Sequence, residues 1–279
     1  MTEKTVEKSH SITYRYADGH LGTTRTISVH ASPEEIQHFV EQGFLYRDQL
    51  FPAGLVSRLR LALDEVAEME RTRGNADSTD ARFGGLFIRH LYDKHPAFLE
   101  LIDYPPMVSV ARALLGPAVQ SRLSARISVP GQLNQQTQWH YHQALVMPDP
   151  APPLANFPHS IDILVYLDDV TEANGPLALV PGSHRFGREI AEDDYSDKPD
   201  QKTLCLTAGD GVFIHNNLWH RGLPTRPDGT LRRLLAFSYS PVWLKNVNDG
   251  APPADGLTKS LHTSKDREIR ELLGLDSYR

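Results

Sequence analysis

From Val119 onward the chain is cut into short segments rich in β-branched and aromatic residues, each closed by Gly, Pro, Asn or Asp. This spacing constrains the fold more than any other feature. Regular short strands joined by tight turns close as a β-sandwich or a jelly-roll barrel. Strands are expected at residues 125–129, 138–144, 161–167, 177–180, 202–206, 211–214 and 234–240. The first third reads differently. Ser32-Pro33-Glu34-Glu35 is a helix start, with Ser as the cap, Pro in the first turn and acids at the positive end of the dipole. It opens a short amphipathic helix over 34–41 that stops at Gly43, followed by a strand at 44–46. Leu55, Leu59, Leu63, Val66 and Met69 recur at three- and four-residue spacing and predict a longer helix over 52–71. Short helices are expected at 96–102 and 107–115, and a hairpin-like lead-in over 13–30 around the turn signal Asp18-Gly19.

The expected fold is mainly β with flanking helices, a β-sandwich or jelly-roll barrel. One domain takes the whole chain, 1–279. Its helical part spans about 32–117 and its jelly-roll core about 119–243, with a C-terminal helix at about 266–273. The proline-rich stretch 148–158 reads as a flap over an active site rather than as a linker.

Charge and cysteine content exclude several functions. Lys and Arg number 29 against 35 Asp and Glu, a net charge of −6, whereas a nucleic-acid binder of the usual electrostatic kind is basic. Cys205 is the single cysteine, so an intrachain disulfide and a cysteine-rich zinc site are impossible, and a reducing, cytoplasmic compartment fits. No apolar run reaches the ~18 residues of a membrane span, and the polar residues 1–10 do not read as a secretory signal. The expected partner is a small-molecule substrate, not nucleic acid or membrane. The sequence carries no signal for subunit number.

The densest candidate chemistry is Gln138-Trp139-His140-Tyr141-His142-Gln143. On a strand, residues two apart share a face, so His140 and His142 project together and can share one metal ion. A third donor must come from elsewhere. His220, beyond the strand at 211–214, is the candidate. Neutral imidazoles suit iron, copper, zinc and nickel. Asp168 and Asp169 read as turn or cap residues rather than paired catalytic acids, and His184 as the anchor of a turn. Arg232 or Arg233 opens a strand expected to be buried, and a buried guanidinium needs an anion.

Three blocks together resemble the phytanoyl-CoA dioxygenase family, the Fe(II)- and 2-oxoglutarate-dependent oxygenases. They are Trp139-His140-Tyr141-His142, the run Leu167 to Leu177 with Asn174-Gly175-Pro176 followed by Pro181-Gly182-Ser183-His184, and Ala208-Gly209-Asp210 through Trp219-His220. The resemblance covers roughly residues 32–243. It implies a double-stranded β-helix, a cupin-like jelly roll flanked by helices, with Fe(II), 2-oxoglutarate as cosubstrate, and O2. His140 matches the family's first metal histidine and His220 the distal one. Arg232 matches the arginine that grips the far carboxylate of 2-oxoglutarate, with Arg233 as the fallback. Gln138 is a further candidate contact to the cosubstrate. Tyr141 and Trp243 are candidate substrate contacts, and Phe87, Leu145 and Phe157 candidate lining.

The chain departs from the family at one ligand. The usual triad is two histidines and a carboxylate, and His142 stands where the carboxylate belongs. Three neutral histidines leave an Fe(II) site one unit more positive than the usual set. A bulky imidazole ligand also opens no place for halide, which disfavours halogenation. Asp149 is the remote alternative carboxylate. The expected activity is hydroxylation, desaturation or rearrangement of a small organic molecule. One rival is a 2-oxoglutarate-independent three-histidine oxygenase or isomerase that binds substrate directly at the metal. The other is a non-catalytic partner subunit or binding protein of the same fold.

Overall fold

A computed structural model describes residues 10–16, 23–73, 85–116, 119–131, 136–142, 158–187, 189–244 and 255–275. Strands β1 (His10–Tyr16) and β2 (Thr23–Val29) pair antiparallel, His10 opposite Val29. Helix α1 (Pro33–Gln42) begins as its sequence demands. Ser32 accepts the Glu35 amide, and the Glu35 carboxylate accepts the Ser32 amide. Gly43 ends the helix in the left-handed region at φ 81°, and its amide donates to Phe39. No side chain fits there, because a β-carbon would lie 2.5 Å from Nδ1 of His184. Strand β3 (Phe44–Arg47) follows, then α2 (Ala53–Thr72), which buries Leu55, Val56, Leu59, Leu63 and Val66 along one stripe. Next come β4 (Leu86–Ile88), 3-10 turns at Leu91–Asp93 and Pro96–Leu101, and α3 (Pro105–Leu115).

The β-core is built from β5 (Val119–Ser128), β6 (Ile161–Tyr166), β7 (Leu177–Leu179), β8 (Lys202–Leu204), β9 (Gly211–His215), β10 (His220–Gly222) and β11 (Arg232–Pro241). A large antiparallel sheet runs β3-β9-β6-β11-β5-β4, and a small one runs β10-β7-β8. A 3-10 turn at Leu257–Thr263 and α4 (Arg267–Leu272) close the described chain.

The large sheet has two unlike faces. Leu123, Ala125, Ile127, Ile161, Ile163, Val165, Phe213, Leu235 and Phe237 pack with the helices in the main core. On the other face Leu164, Tyr166, Val212 and Ile214 join Leu177 and Leu179 of the small sheet in a second core. Covered on both sides, β6 is buried at all six positions.

Two strand expectations are corrected. β5 begins at Val119, six residues before the expected start at 125. Its alternate residues Gln120, Arg122, Ser124 and Arg126 are half-buried, which hides an apolar strand from a hydrophobicity reading. In its described part, 138–142, the expected strand at 138–144 is a single antiparallel bridge, His140 to His220. Thr137, His140 and His142 donate their amides to Gly222, His220 and Asn216, which holds the segment extended against β10 without a continuing ladder. Residues 143–157, including most of the expected flap, lie outside the described residues, as do Asp149, Leu145, Phe157 and the Asp18-Gly19 turn.

Candidate metal centre

His140, His142 and His220 come together. One ring nitrogen from each lies within 4.8 Å of the others, and the ring centroids are 4.3–5.3 Å apart. His220 is carried by β10, and the bridge to His140 sets the two backbones side by side. Period-two alternation then brings His142 to the same face, while Trp139 turns away. Trp139 is buried with Ala178, Val180 and Trp219, donates Nε1–H to the Ser196 carbonyl at 2.7 Å, and has Arg221 over its ring. Tyr141 packs against that same cluster.

Each imidazole is fixed by its other side. Nδ1 of His140 lies 2.8 Å from the Gln138 carbonyl, and Nδ1 of His220 lies 2.8 Å from the Leu218 carbonyl. A carbonyl can only accept, so both rings carry the proton on Nδ1 and leave Nε2 with its lone pair. Nδ1 of His142 lies 2.5 Å from Oδ2 of Asp162. Donor atoms of this kind, oriented from behind by acceptors, are what a divalent transition metal requires.

The electrostatics divide the three. Burial first, and the neighbouring histidines after it, push His140 down to about 4 and His220 well below the ordinary imidazole value. Both are neutral and ready to ligate at physiological pH. For His142 desolvation also works against the proton, but the Asp162 carboxylate outweighs it and holds the proton above the ordinary range. Burial opposes ionisation of Asp162; His142, Ser238 and Arg122 outweigh it and keep its carboxyl below the usual range.

Arg232 and Arg233 part ways. Arg232 is buried, with Nη2 donating to Ser128 Oγ at 3.1 Å and no hydrogen-bond partner at Nε among the described residues. Arg233 points to the other face. Its guanidinium binds Asp64 at 2.8 Å and Asp168 at 2.9 Å, and its amide donates to Asp168. Asp168 also meets Arg60 at 3.2 Å, and Asp169 accepts the Ala208 amide. Both acids therefore fasten turns and α2 to the sheet. His184 ties the 3-10 turn Ser183–Arg185 to α1 by donating from Nε2 to the Val40 carbonyl.

The Asn174-Gly175 turn does more than reverse the chain. Asn174 is buried, accepts the Thr171 amide, and donates to Asp169 and Thr230. Gly175, at φ 82°, lies against the Arg232 guanidinium. A β-carbon there would sit 2.6 Å from Nη1 and 2.5 Å from the Leu223 carbonyl oxygen. Gly175→Ala is expected to lower stability by at least the ~1–2 kcal/mol that left-handed backbone costs an L-residue, and to displace the guanidinium. Gly222→Ala is the control. Its β-carbon would make ordinary contacts, 3.7 Å from Thr137 Oγ1 and 3.9 Å from Arg232 Nη2. Urea unfolding of the two variants makes the comparison.

The remaining candidates take separate places. Gln138 contributes its backbone carbonyl to His140. Phe87 lies opposite Arg126 in the β4–β5 register, with Arg89 5.0 Å over its ring. Trp243, just past β11, is 62% exposed. Sequence reasoning missed Asp162, although a lone acid inside Ile161-Asp162-Ile163-Leu164-Val165-Tyr166 is a signal in itself, since a buried carboxylate needs a partner.

The family model described as phytanoyl-CoA dioxygenase (PhyH) matches residues 39–234. The chain belongs to the phytanoyl-CoA dioxygenase family. Among its relatives, an ectoine dioxygenase of Bordetella parapertussis is 28% identical over 198 residues, covering 64% of this chain and 62% of that protein. An L-proline trans-4-hydroxylase of Streptomyces griseoviridis is 28% identical over 145 residues, covering 50% of this chain and 49% of that protein. The chain thus spans less than two thirds of the length of these relatives. HygX from Streptomyces hygroscopicus, with nickel, 2-oxoglutarate and hygromycin B bound, superposes with a TM-score of 0.62 at 20% identity, covering 77% of this chain and 89% of that one. The α-ketoglutarate-dependent carbocyclase SnoK gives 0.59 at 21% identity, covering 76% and 85%. The fold of this phytanoyl-CoA dioxygenase family member is the expected jelly roll.

Proposed function

We propose that this chain is a non-haem Fe(II)- and 2-oxoglutarate-dependent oxygenase of small organic molecules, with His140, His142 and His220 as the metal ligands. The observation that carries the reading is the wiring of the three imidazoles. Each has its Nδ1 engaged from behind, and each keeps one nitrogen for a shared ion. A binding protein that had lost its metal would have no need to hold all three tautomers. The family membership and the relatives named as dioxygenase and hydroxylase support the same reading.

Arg232 is the proposed grip on the far carboxylate of 2-oxoglutarate. It is buried, cradled by Gly175, and lies beside Gly222, two residues along β10 from His220. On the same face, one step across from Leu234, stands Arg126. Burial and then the neighbouring Arg232 push its guanidinium down to about 10. Two cations that destabilise each other suit a dicarboxylate. Bound at the three histidines, Fe(II) with 2-oxoglutarate and O2 would supply the oxidising power. The protein's part is to orient the cosubstrate through Arg232, with Gln138 as a further contact, and to exclude water with Leu164, Tyr166 and Leu234. The whole chain acts as one such unit, and the exposed free Cys205 suits a cytoplasmic setting. Among the described residues no helix is long and apolar enough to cross a membrane.

Anaerobic titration tests the reading. Fe(II) followed by 2-oxoglutarate should produce the visible charge-transfer absorption of a chelated 2-oxo acid. Iron binding without that band would favour the 2-oxoglutarate-independent reading, and failure to bind iron would favour the non-catalytic one.

A further inference from the structure

Among the described residues no carboxylate joins the three histidines as a candidate ligand, yet one stands directly behind them. Asp162 projects from the middle of the buried sheet, where its Cα partners are Ser238 of β11 and Ile214 of β9, and Oδ2 lies 2.5 Å from Nδ1 of His142. It is the single acid of an otherwise apolar strand and is 7% exposed. Its carboxylate faces the His142 ring, with Ser238 directly across from it on β11. A buried anion of this kind costs several kcal/mol of desolvation unless it is matched, so its position asks for a reason.

The other two histidines show what that reason is not. His140 and His220 are oriented by backbone carbonyls of their own segments. A neutral acceptor is therefore enough to fix a tautomer here. Only His142, the histidine that replaces the family's carboxylate, is backed by a full negative charge. A carboxylate behind an imidazole makes the ring more basic toward a metal and passes it part of the negative charge. Three neutral histidines and a divalent ion would leave two positive charges at the centre, and Asp162 returns the total to one.

We propose that Asp162 is the displaced carboxylate of this site: a positioning residue that acts through His142 and restores, one shell out, the negative charge that the ligand set has lost. The inference rests on the reading of His142 as a ligand, and the experiment separates the two. Co(II) binding is measured by chelator competition and by the visible spectrum of the cobalt protein, with no turnover involved.

Asp162→Asn keeps an acceptor oxygen and removes the charge. It is expected to weaken Co(II) binding ~10–100-fold, as loss of an outer partner does elsewhere, and to shift the cobalt bands. In a His142→Asp background the charge is already on the metal, so adding Asp162→Asn is expected to change affinity by no more than a few-fold. An equal loss in both backgrounds would mark general structural damage and overturn the proposal, as would wild-type affinity and spectrum in the single variant. If His142→Ala also binds Co(II) like wild type, the ligand reading itself is wrong. If His142→Ala weakens binding and Asp162→Asn does not, only the present inference fails.

A measurement on unaltered protein covers a variant that does not fold. In the Zn(II)-loaded wild type, the His142 Nδ1 proton should be present and shifted far downfield by its carboxylate partner. An Nδ1 proton at the position of the carbonyl-bonded His140 and His220 protons would overturn the proposal.

Discussion

Arg232→Ala raises the 2-oxoglutarate concentration needed to develop the charge-transfer absorption by on the order of 10²–10³-fold, while Fe(II) affinity stays within a few-fold of wild type. The magnitude follows from what truncating one side of a buried, charge-assisted pair costs, ~2–5 kcal/mol. The separation from iron follows from position. Arg232 opens β11 and contacts Ser128, Gly175 and the Gly222 edge of β10, and it touches none of the three histidines in the hydrogen-bond network around them. Arg233→Ala, one residue on, gives the opposite pattern. It loses the ties to Asp64 and Asp168 that hold the sheet to α2, so thermal stability falls and the cosubstrate titration does not move. An equal effect of Arg232→Ala on iron and on 2-oxoglutarate would remove it from the proposed role. A larger cosubstrate effect at Arg233 would transfer that role.

Metal occupancy against pH separates wild type, His142→Asp and His142→Ala. In the metal-free protein Asp162 holds a proton on His142 above the ordinary imidazole value of ~6.5. A protonated ring cannot ligate, so the metal must displace that proton. Above the raised value the wild type pays nothing for this. Below it, each pH unit costs ~1.4 kcal/mol, a factor of ~10 in affinity. The wild type therefore starts to shed metal while the solution is still near neutral, and continues as pH falls. His142→Asp replaces the imidazole by a group with a reference value of ~3.9. The nearby Asp162 raises that value by like-charge repulsion, but the variant still holds metal to a lower pH than wild type. His142→Ala has no donor and binds more weakly at every pH, by at least the ~10–100-fold that losing an outer partner costs. Its curve is set by His140 and His220, whose protons are already disfavoured at neutral pH. Three coincident curves would mean that His142 does not touch the metal. Inductively coupled plasma analysis of dialysed samples gives the occupancies.

Much of this centre is legible from residue order alone. The spacing His140-x-His142 on extended backbone dictates a shared face whether or not a strand forms, because side-chain alternation is a property of one extended chain and not of its hydrogen-bonded neighbours. The helix start at Ser32 is likewise local, since cap, proline and Glu35 lie within four residues of one another. Turn chemistry at Asn174-Gly175 and at Pro181-Gly182 is written in two residues each. The jelly roll follows from the rhythm of short apolar segments and their breaks, a pattern that survives even where individual boundaries move.

What the sequence left open depends on which segments become neighbours. Polar residues at alternate positions shortened the expected β5, because Arg122 and Arg126 look like solvent-facing residues until the fold sets them half-buried beside Ser238 and Leu234 of β11. The segment at 138–144 has the composition of a strand, but β10 opposite it is only three residues long, so over the described residues 138–142 the pairing amounts to one bridge. Arg232 and Arg233 are indistinguishable in sequence. The register of β11 between β5 and β6 decides that one faces Ser128 and Gly175 and the other faces Asp64 and Asp168. The pairing of His142 with Asp162 spans 20 positions and two elements, and no local rule encodes it. The chain by itself determined the histidine spacing, the turns and the class of fold, since those are set by residue type and short spacing. The tertiary structure alone decided which arginine turns inward and which carboxylate stands behind His142, since burial and charge compensation exist only once distant strands are packed together.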